Sequence, residues 1–262
     1  MKKILAVLLL LLVLAGCSSQ SKDLTTIKVG ASPVPHSDIL ASIKDELKDK
    51  GFDLEIVEFT DYVLPNLALE EGDLEANFFQ HKPYLDNFNE ERGTKLVAVG
   101  DVHIEPIGIY SDVYTSLDEL EDGDLVLIPG DATNGGRSLV LLESLGLIGL
   151  EEGVGIGATP LDIVDNPKNL VFKELEAAQI PNALDSAKIA AINTNYALGA
   201  ELDPKDALAQ EEGVNNPYAN VLAVKEGDED KDFVKALLEA LQSDSVKKFL
   251  EEEYDGAILP AF

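Results

Sequence analysis

The sequence predicts an α/β fold in two lobes with a ligand cleft between them. Three observations predict it. From Thr26 onward, β-rich runs alternate with apolar residues at helical spacing, the pattern of a mostly parallel sheet covered by helices. The alternation comes in two sets that part near Ser111. Some 240 residues, roughly, follow an N-terminal leader, enough for two lobes. A hydrophobic content of 45% supports a packed globule against a disordered chain.

The first set opens with Thr26–Ala31 (TIKVGA), a β-rich run. Ser37 is positioned as an N-cap, and Ile39, Leu40, Ile43 and Leu47 recur at helical spacing before Gly51. Leu54–Phe59 alternates as a strand, Tyr62–Glu71 is a short helix opened near Pro65, and Leu74–Phe79 is the next strand. Lys82–Glu91 is helical, with Pro83 in its first turn. Lys95–Val99 and Ile104–Tyr110 read as strands. The second set has a short helix at Ser116–Leu120, a strand at Asp124–Ile128 and an apolar helix at Ser138–Leu145. Gly146–Lys168 is rich in Gly and Pro and predicts mostly loop, with a short helix near Leu161. Leu170–Leu175, Ile189–Ile192 and Val221–Val224 are strand-like. An apolar stripe through Phe233, Leu237, Leu238 and Leu241, continued by Val246, Phe249 and Leu250, predicts C-terminal helices ending at Gly256. Lobe one is therefore expected at 26–110 plus 221–262, and lobe two at 111–220.

The N-terminus reads as a targeting segment. Lys2 and Lys3 precede an unbroken apolar run, Ile4 to Leu14, which is short against the ~20 residues a membrane span needs. Leu14-Ala15-Gly16-Cys17 resembles a bacterial lipobox, so residues 1–16 are expected to be a signal peptide and Cys17 the lipidated first residue of the mature chain. Residues 17–25 form a polar tether. Cys17 is the only cysteine, which excludes a disulfide and a paired-thiol metal site. The expected location is the extracytoplasmic side of the cell membrane, held by the lipid on Cys17.

With 49 acidic and 20 basic residues the net charge is −29, which disfavours nucleic acid as a partner. The surplus reads as a solvated acidic surface and makes the few cationic groups informative: the arginines are Arg92 and Arg137 alone.

Several motif matches fail on context. Gly130 to Ser138 resembles a P-loop but carries an extra Gly and has Arg where Lys is required. Gly153-Val-Gly155-Ile-Gly157-Ala158 fits a dinucleotide fingerprint by letter, yet no strand leads into it and Pro160 stands where the helix should begin. There is no G-x-S-x-G and no H-E-x-x-H. His36, His81 and His103 are scattered without ligand spacing, and each reads as a surface or hydrogen-bonding histidine. No metal, no cofactor and no catalytic residue is expected.

Two segments are suited to a zwitterion. Asn134-Gly135-Gly136-Arg137-Ser138 precedes an apolar helix, where glycines would expose N–H groups to an anion and Arg137 would add a planar fork. The alternative is a surface arginine paired with a local acid. Asp61-Tyr62 and Phe78-Phe79-Gln80-His81-Lys82-Pro83-Tyr84 cluster aromatics after strand ends, which would wall an apolar pocket or simply fill a core.

Seven segments in order carry a resemblance. Asp61-Tyr62-Val63-Leu64-Pro65-Asn66, Phe79 to Leu85, Lys95 to Gly100, Gly136-Arg137-Ser138-Leu139, Asp165 to Leu170, Ala191-Ile192-Asn193-Thr194 and Pro217-Tyr218-Ala219-Asn220 resemble the methionine-binding lipoproteins of the NlpA family. The resemblance implies a two-lobed periplasmic-binding-protein (type II) fold that passes methionine or a close relative to the permease and ATPase subunits of an ABC importer. It implies that Arg137 binds the substrate carboxylate, that Asn193 and Asn220 hold the polar end of the amino acid, and that Tyr62, Phe79, His81 and Tyr84 enclose the thioether. Ala158-Thr159-Pro160-Leu161 departs from the family pattern, as does the heavily acidic surface. Two other uses of the scaffold stay open at this point: a lipid-anchored interaction or sensor subunit, and an extracytoplasmic enzyme.

Overall fold

The computed structural model describes residues 24–213 and 216–262, so the signal segment, Cys17 and most of the tether lie outside the described residues. The chain forms two sheets. Strand β1 (Thr25–Ala31) leads through helices α1 (Asp38–Ser42) and α2 (Lys44–Asp49) to β2 (Phe52–Glu58). Helix α3 (Leu64–Glu71) leads to β3 (Ala76–His81), and α4 (Lys82–Arg92) leads to β4 (Leu96–Ile104). β1 pairs in parallel with both β2 and β3, as expected when helices supply the crossovers. Two late strands close this six-stranded sheet in the order β13-β4-β12-β3-β1-β2, with β12 (Ala219–Lys225) antiparallel between β3 and β4 and β13 (Leu259–Pro260) on the edge.

The second sheet has the order β11-β5-β10-β6-β9. Its strands are β5 (Gly108–Tyr110), β6 (Leu125–Pro129), β9 (Val171–Leu175), β10 (Ile189–Ile192) and β11 (Ala209–Gln210). Between β6 and β9 lie helix α5 (Ala132–Ser144) and a small hairpin of β7 (Gly149–Leu150) and β8 (Ile163–Asp165). Helix α6 (Thr194–Gly199) follows β10, and α7 (Asp232–Leu241) and α8 (Asp244–Tyr254) follow β12. Ser243 separates the last two by capping Val246 N–H at 3.4 Å.

Burial alternates with strand period, so both faces of each sheet are covered. In the second sheet Ile109, Val126, Ile128, Ile189 and Ala191 belong to one core. Their neighbours Tyr110, Leu127, Ala190 and Ile192 belong to another. In the first sheet Ile27, Val29, Phe78, Leu222 and Val224 pack with Ile39, Leu40, Leu237, Leu241, Val246 and Leu250 from the helices. Val221 and Ala223 face the opposite way, toward Leu69, Leu74 and Leu85.

The lobe boundary expected at Tyr110 needs correction. The strand-like run Ile104–Tyr110 is interrupted by Pro106, which has no N–H for a ladder. The run splits there. Ile104 ends β4 in the first sheet, while Gly108 opens β5 in the second, where it pairs with β10 and β11. The chain therefore crosses between sheets at Glu105–Ile107 and returns between β11 and β12. The loop-rich stretch from Gly146 contains the β7–β8 hairpin and single 3-10 turns, one of them Pro160–Asp162 beneath a Thr159 cap.

Candidate functional site

Tyr62, Phe79, His81, Tyr84, Arg137, Asn193 and Asn220 line one cavity between the two lobes. Gln80, Glu105, Asn134, Thr194 and Asn195 complete the lining. Strand ends account for the convergence. His81 ends β3 and pairs across the ladder with Asn220, which on its other side pairs with His103 of β4. From the other lobe, α5 contributes Asn134 and Arg137, and the β10–α6 turn contributes Asn193 to Asn195. The lobes touch across the cavity: Tyr62 Oη donates to Asn195 Oδ1 at 2.6 Å, and Tyr196 Oη donates to Thr60 O at 3.3 Å.

The glycines before Arg137 do not form the expected anion nest. Helix α5 begins one turn earlier, with Asp131 as N-cap accepting Asn134 N–H at 2.9 Å, so an acid of the chain itself already occupies the positive end. Gly135 and Gly136 lie inside the helix and serve close packing. A Cβ on Gly135 would lie 2.8 Å from Pro129 O, and one on Gly136 only 2.0 Å from Ile156 O.

Arg137 is buried, with 3% of its side chain exposed. Its Nε donates to Glu211 at 2.8 and 3.0 Å, and its Nη2 donates to Glu211 Oε2 at 2.6 Å and to Glu105 O at 2.7 Å. The guanidinium lies over the Tyr218 ring at 4.2 Å. Nη1 has no hydrogen-bond partner among the described residues. Thus Nε and Nη2 are held by Glu211 and Glu105, and among the described residues Nη1 is left without a partner.

His81 is an N-cap: its Nδ1 accepts Tyr84 N–H at 3.1 Å. That bond places the ring proton on Nε2, which donates to Asn134 Oδ1 at 3.1 Å. Burial, reinforced by the Arg137 charge, lowers the His81 pKa to about 3, so the ring is neutral at physiological pH. Asn193 Nδ2 donates to the same Asn134 oxygen at 2.9 Å, while Asn193 Oδ1 is buried with no partner among the described residues. An orphaned buried acceptor facing a cavity calls for a donor from a guest.

Glu105 is a site residue that the motifs did not single out, and it is a buried carboxyl. It is 6% exposed. His103 Nε2 lies 2.7 Å and His36 Nε2 lies 3.2 Å from its Oε1. Burial raises its pKa, opposed by the neighbouring His36 and Arg137. The imidazoles are themselves kept neutral by burial, with pKa values lowered to about 4 for His36 and about 3 for His103. The histidines, expected as surface or hydrogen-bonding residues, are all buried and hydrogen-bonded, and two of them meet at one carboxyl. These three side chains bring ligand atoms within 4.8 Å of one another. Both Nδ1 atoms, however, lack a partner among the described residues, whereas a metal-bound histidine passes its second N–H to an acceptor. His36 Nε2 also hydrogen-bonds Asn220 Oδ1 at 3.1 Å, so the two rings fit a hydrogen-bonded cluster around the carboxyl better than they fit a metal.

The remaining wall is aromatic. Tyr62 packs on Phe79 at 5.9 Å, on Tyr84 at 5.7 Å and on Tyr196 at 4.8 Å. Tyr84 continues edge-on to His81, and His81 to Tyr218 beneath the guanidinium. Behind this wall, Asn66 and Gln80 exchange amide bonds at 2.8 and 2.7 Å, and Asn77 donates to Asn66 at 2.8 Å. The buried amides brace α3 against β3. Asn166, in another of the quoted motifs, closes a turn on both backbone groups of Leu170. These motif residues are structural.

Comparison with known proteins identifies the family. A family model described as "NlpA lipoprotein" matches residues 27–262. One for the prokaryotic membrane lipoprotein lipid attachment site matches residues 1–18, the stretch that contains Cys17. The chain is 47% identical over 249 residues to the D-methionine-binding lipoprotein MetQ of Escherichia coli K12, covering 94% of this chain and 92% of that one. It superposes with a TM-score of 0.87 on a nutrient-binding protein from Burkholderia cenocepacia bound to methionine, at 45% identity over 90% of this chain and 100% of the other. An ABC transporter periplasmic substrate-binding protein from Coxiella burnetii superposes with a TM-score of 0.86 at 41% identity, covering 90% of this chain and all of that one.

Proposed function

Because this chain belongs to the NlpA lipoprotein family, we propose that it captures methionine or a close relative outside the cytoplasm and delivers it, unaltered, to an ABC importer. It is a membrane-anchored lipoprotein, and Cys17 is the residue that carries the lipid. Among the described residues no helix is long and apolar enough to cross a membrane, so attachment rests on that anchor. Its partners are the permease and ATPase subunits of the importer.

The observation that carries this reading is the juxtaposition of the Arg137 guanidinium and the Glu105 carboxyl beside an aromatic wall. The Nη1 edge of Arg137 receives the carboxylate. Glu105 and the orphaned Oδ1 of Asn193 receive the ammonium, and Asn220 adds an amide beside them. Tyr62, Phe79, His81 and Tyr84 enclose the side chain, where sulfur against ring edges contributes ~0.3–1.5 kcal/mol per contact. A cation without an acid would leave Arg137 facing an empty edge, and an acid without a cation would leave Glu105 uncompensated. The site therefore selects a zwitterion.

Isothermal titration with L-methionine, D-methionine, methionine sulfoxide, alanine and des-amino methionine tests it, with mass spectrometry of the recovered ligand. The expected result is saturable binding of a methionine form, weaker binding of alanine and of the des-amino acid, and recovery of the ligand with unchanged mass. Binding of none of the five sinks the reading.

A further inference from the structure

We infer that Glu211 is the positioning residue of this site: it turns the Arg137 guanidinium so that only its Nη1 edge meets a guest carboxylate, and it fixes that edge to both passages of the chain between the lobes. The inference rests on the proposed binding of a methionine carboxylate at Arg137.

Glu211 was singled out by no motif. It follows β11 on the returning passage, and its side chain is 12% exposed. Oε2 collects four donors: Arg137 Nε at 3.0 Å, Arg137 Nη2 at 2.6 Å, Ile107 N at 3.2 Å and Asn216 Nδ2 at 3.2 Å. Ile107 belongs to the outgoing passage, as does Glu105, whose carbonyl takes the remaining Nη2 contact. One carboxylate thus ties the ligand-facing helix α5 to the outgoing and the returning segment. Tyr218, on the same returning segment, supplies the ring beneath the guanidinium.

Two consequences separate this role from alternatives. A guest carboxylate that needed the Nε–Nη2 edge would have to displace Glu211 and its other donors. A guest at Nη1 leaves them intact and takes one charge-assisted hydrogen bond instead of a bidentate pair. Second, the orienting function depends on an acceptor at the Oε2 position more than on charge. A glutamine can place its amide oxygen there; an alanine cannot.

The test is the affinity ratio of methionine to methioninamide, measured by titration calorimetry on the full lipoprotein in detergent, for the parent, Glu211→Gln and Glu211→Ala. The amide analogue keeps the ammonium and side chain and lacks only the carboxylate charge, so the ratio reads the contact at Arg137. The expected result is a ratio for Glu211→Gln within about threefold of the parent, and a ratio for Glu211→Ala lower by about tenfold or more, the scale of one charge-assisted hydrogen bond. Thermal unfolding of each variant accompanies the measurement. If Glu211→Ala does not fold, Glu211→Gln decides alone: a ratio lowered tenfold overturns the acceptor role. A purely structural glutamate would lower the unfolding temperature and leave the ratios equal, which also overturns the inference. Tighter methionine binding in either variant would make Glu211 a competitor of the guest and overturn it too. A parent that binds no methionine sinks the underlying reading instead, and the inference with it.

Discussion

Replacing Gly136 by alanine separates two accounts of the glycines beside Arg137. If they served to present N–H groups to an anion, alanine would be harmless, since it keeps its N–H, and helix propensity would raise stability by ~1 kcal/mol. The packing predicts the opposite. The new methyl would lie 2.0 Å from Ile156 O, 2.6 Å from Ile156 C and 3.2 Å from Ala158 N, all backbone atoms without a flexible end that could yield. Restoring contact distance requires α5 or the Ile156 turn to move by about 1 Å or more, and overpacking of this kind costs ~1–3 kcal/mol, occasionally more. The clash falls one residue from Arg137, so the shift is carried to the guanidinium and misaligns it from Glu211. Denaturant unfolding should show Gly136→Ala less stable than the parent by about 2 kcal/mol, and titration should show weaker methionine binding. Gly199 is the control: a Cβ there meets nothing within 4 Å, and it lies in a helix. Gly199→Ala should be neutral or stabilising by up to ~1 kcal/mol. A Gly136→Ala protein as stable as the parent, with parent-like binding, would refute the close-packing argument.

Removing the Arg137 side chain leaves Glu211 largely buried without its ion partner, a loss of about 3–5 kcal/mol, so Arg137→Ala should melt lower by about 6 °C or more in a scan without ligand; a shift under 1 °C would mean the pair contributes little. Tyr62→Ala and Phe79→Ala remove parts of the aromatic wall, and calorimetry should show methionine affinity falling toward that of alanine, whereas an unchanged methionine-to-alanine ratio would assign both rings to the core. The pH dependence follows from the buried histidines. His103 binds a proton near 6.5 in the unfolded chain but only near 3 in the folded one, so below pH 6.5 the unfolded state holds the extra proton and stability falls as pH falls. Urea titrations between pH 6 and 4.5 should give His103→Gln a shallower stability–pH slope than the parent by about 1.4 kcal/mol per pH unit; equal slopes would show that the ring is not held neutral.

Much of the first sheet was legible because its helices and strands carry local signals: Pro at helix starts, period-2 runs in strands, and the stripe in α7, of which Leu237 and Leu241 are buried and Phe233 and Leu238 half-buried. Ser37, expected as an N-cap, is itself helical and makes no capping hydrogen bond. The crossing between lobes was not read correctly, although Pro106 marked it. A proline inside an apolar run reports a broken ladder, but not that the two halves join different sheets. The seven expected site residues were read from ordered motifs, and all seven line one cavity. Glu105 and Asn195 were missed because nothing local distinguishes one acid among 49, or one amide among many, until the fold places it.

The sequence by itself determined the alternation of strands and helices, the anchor motif at Cys17 and the scarcity of cations that made Arg137 conspicuous. These are properties of neighbouring residues and of composition, and they survive without knowledge of long-range contacts. Only the tertiary structure decided what Arg137 rests on, where its free edge lies, and that His36 and His103 converge on Glu105 from positions 69 and 2 residues away. Such pairings depend on strand order and on register. Electrostatic and hydrogen-bond energies fall off over a few ångströms in space, not along the chain, so no inspection of neighbours could have supplied them.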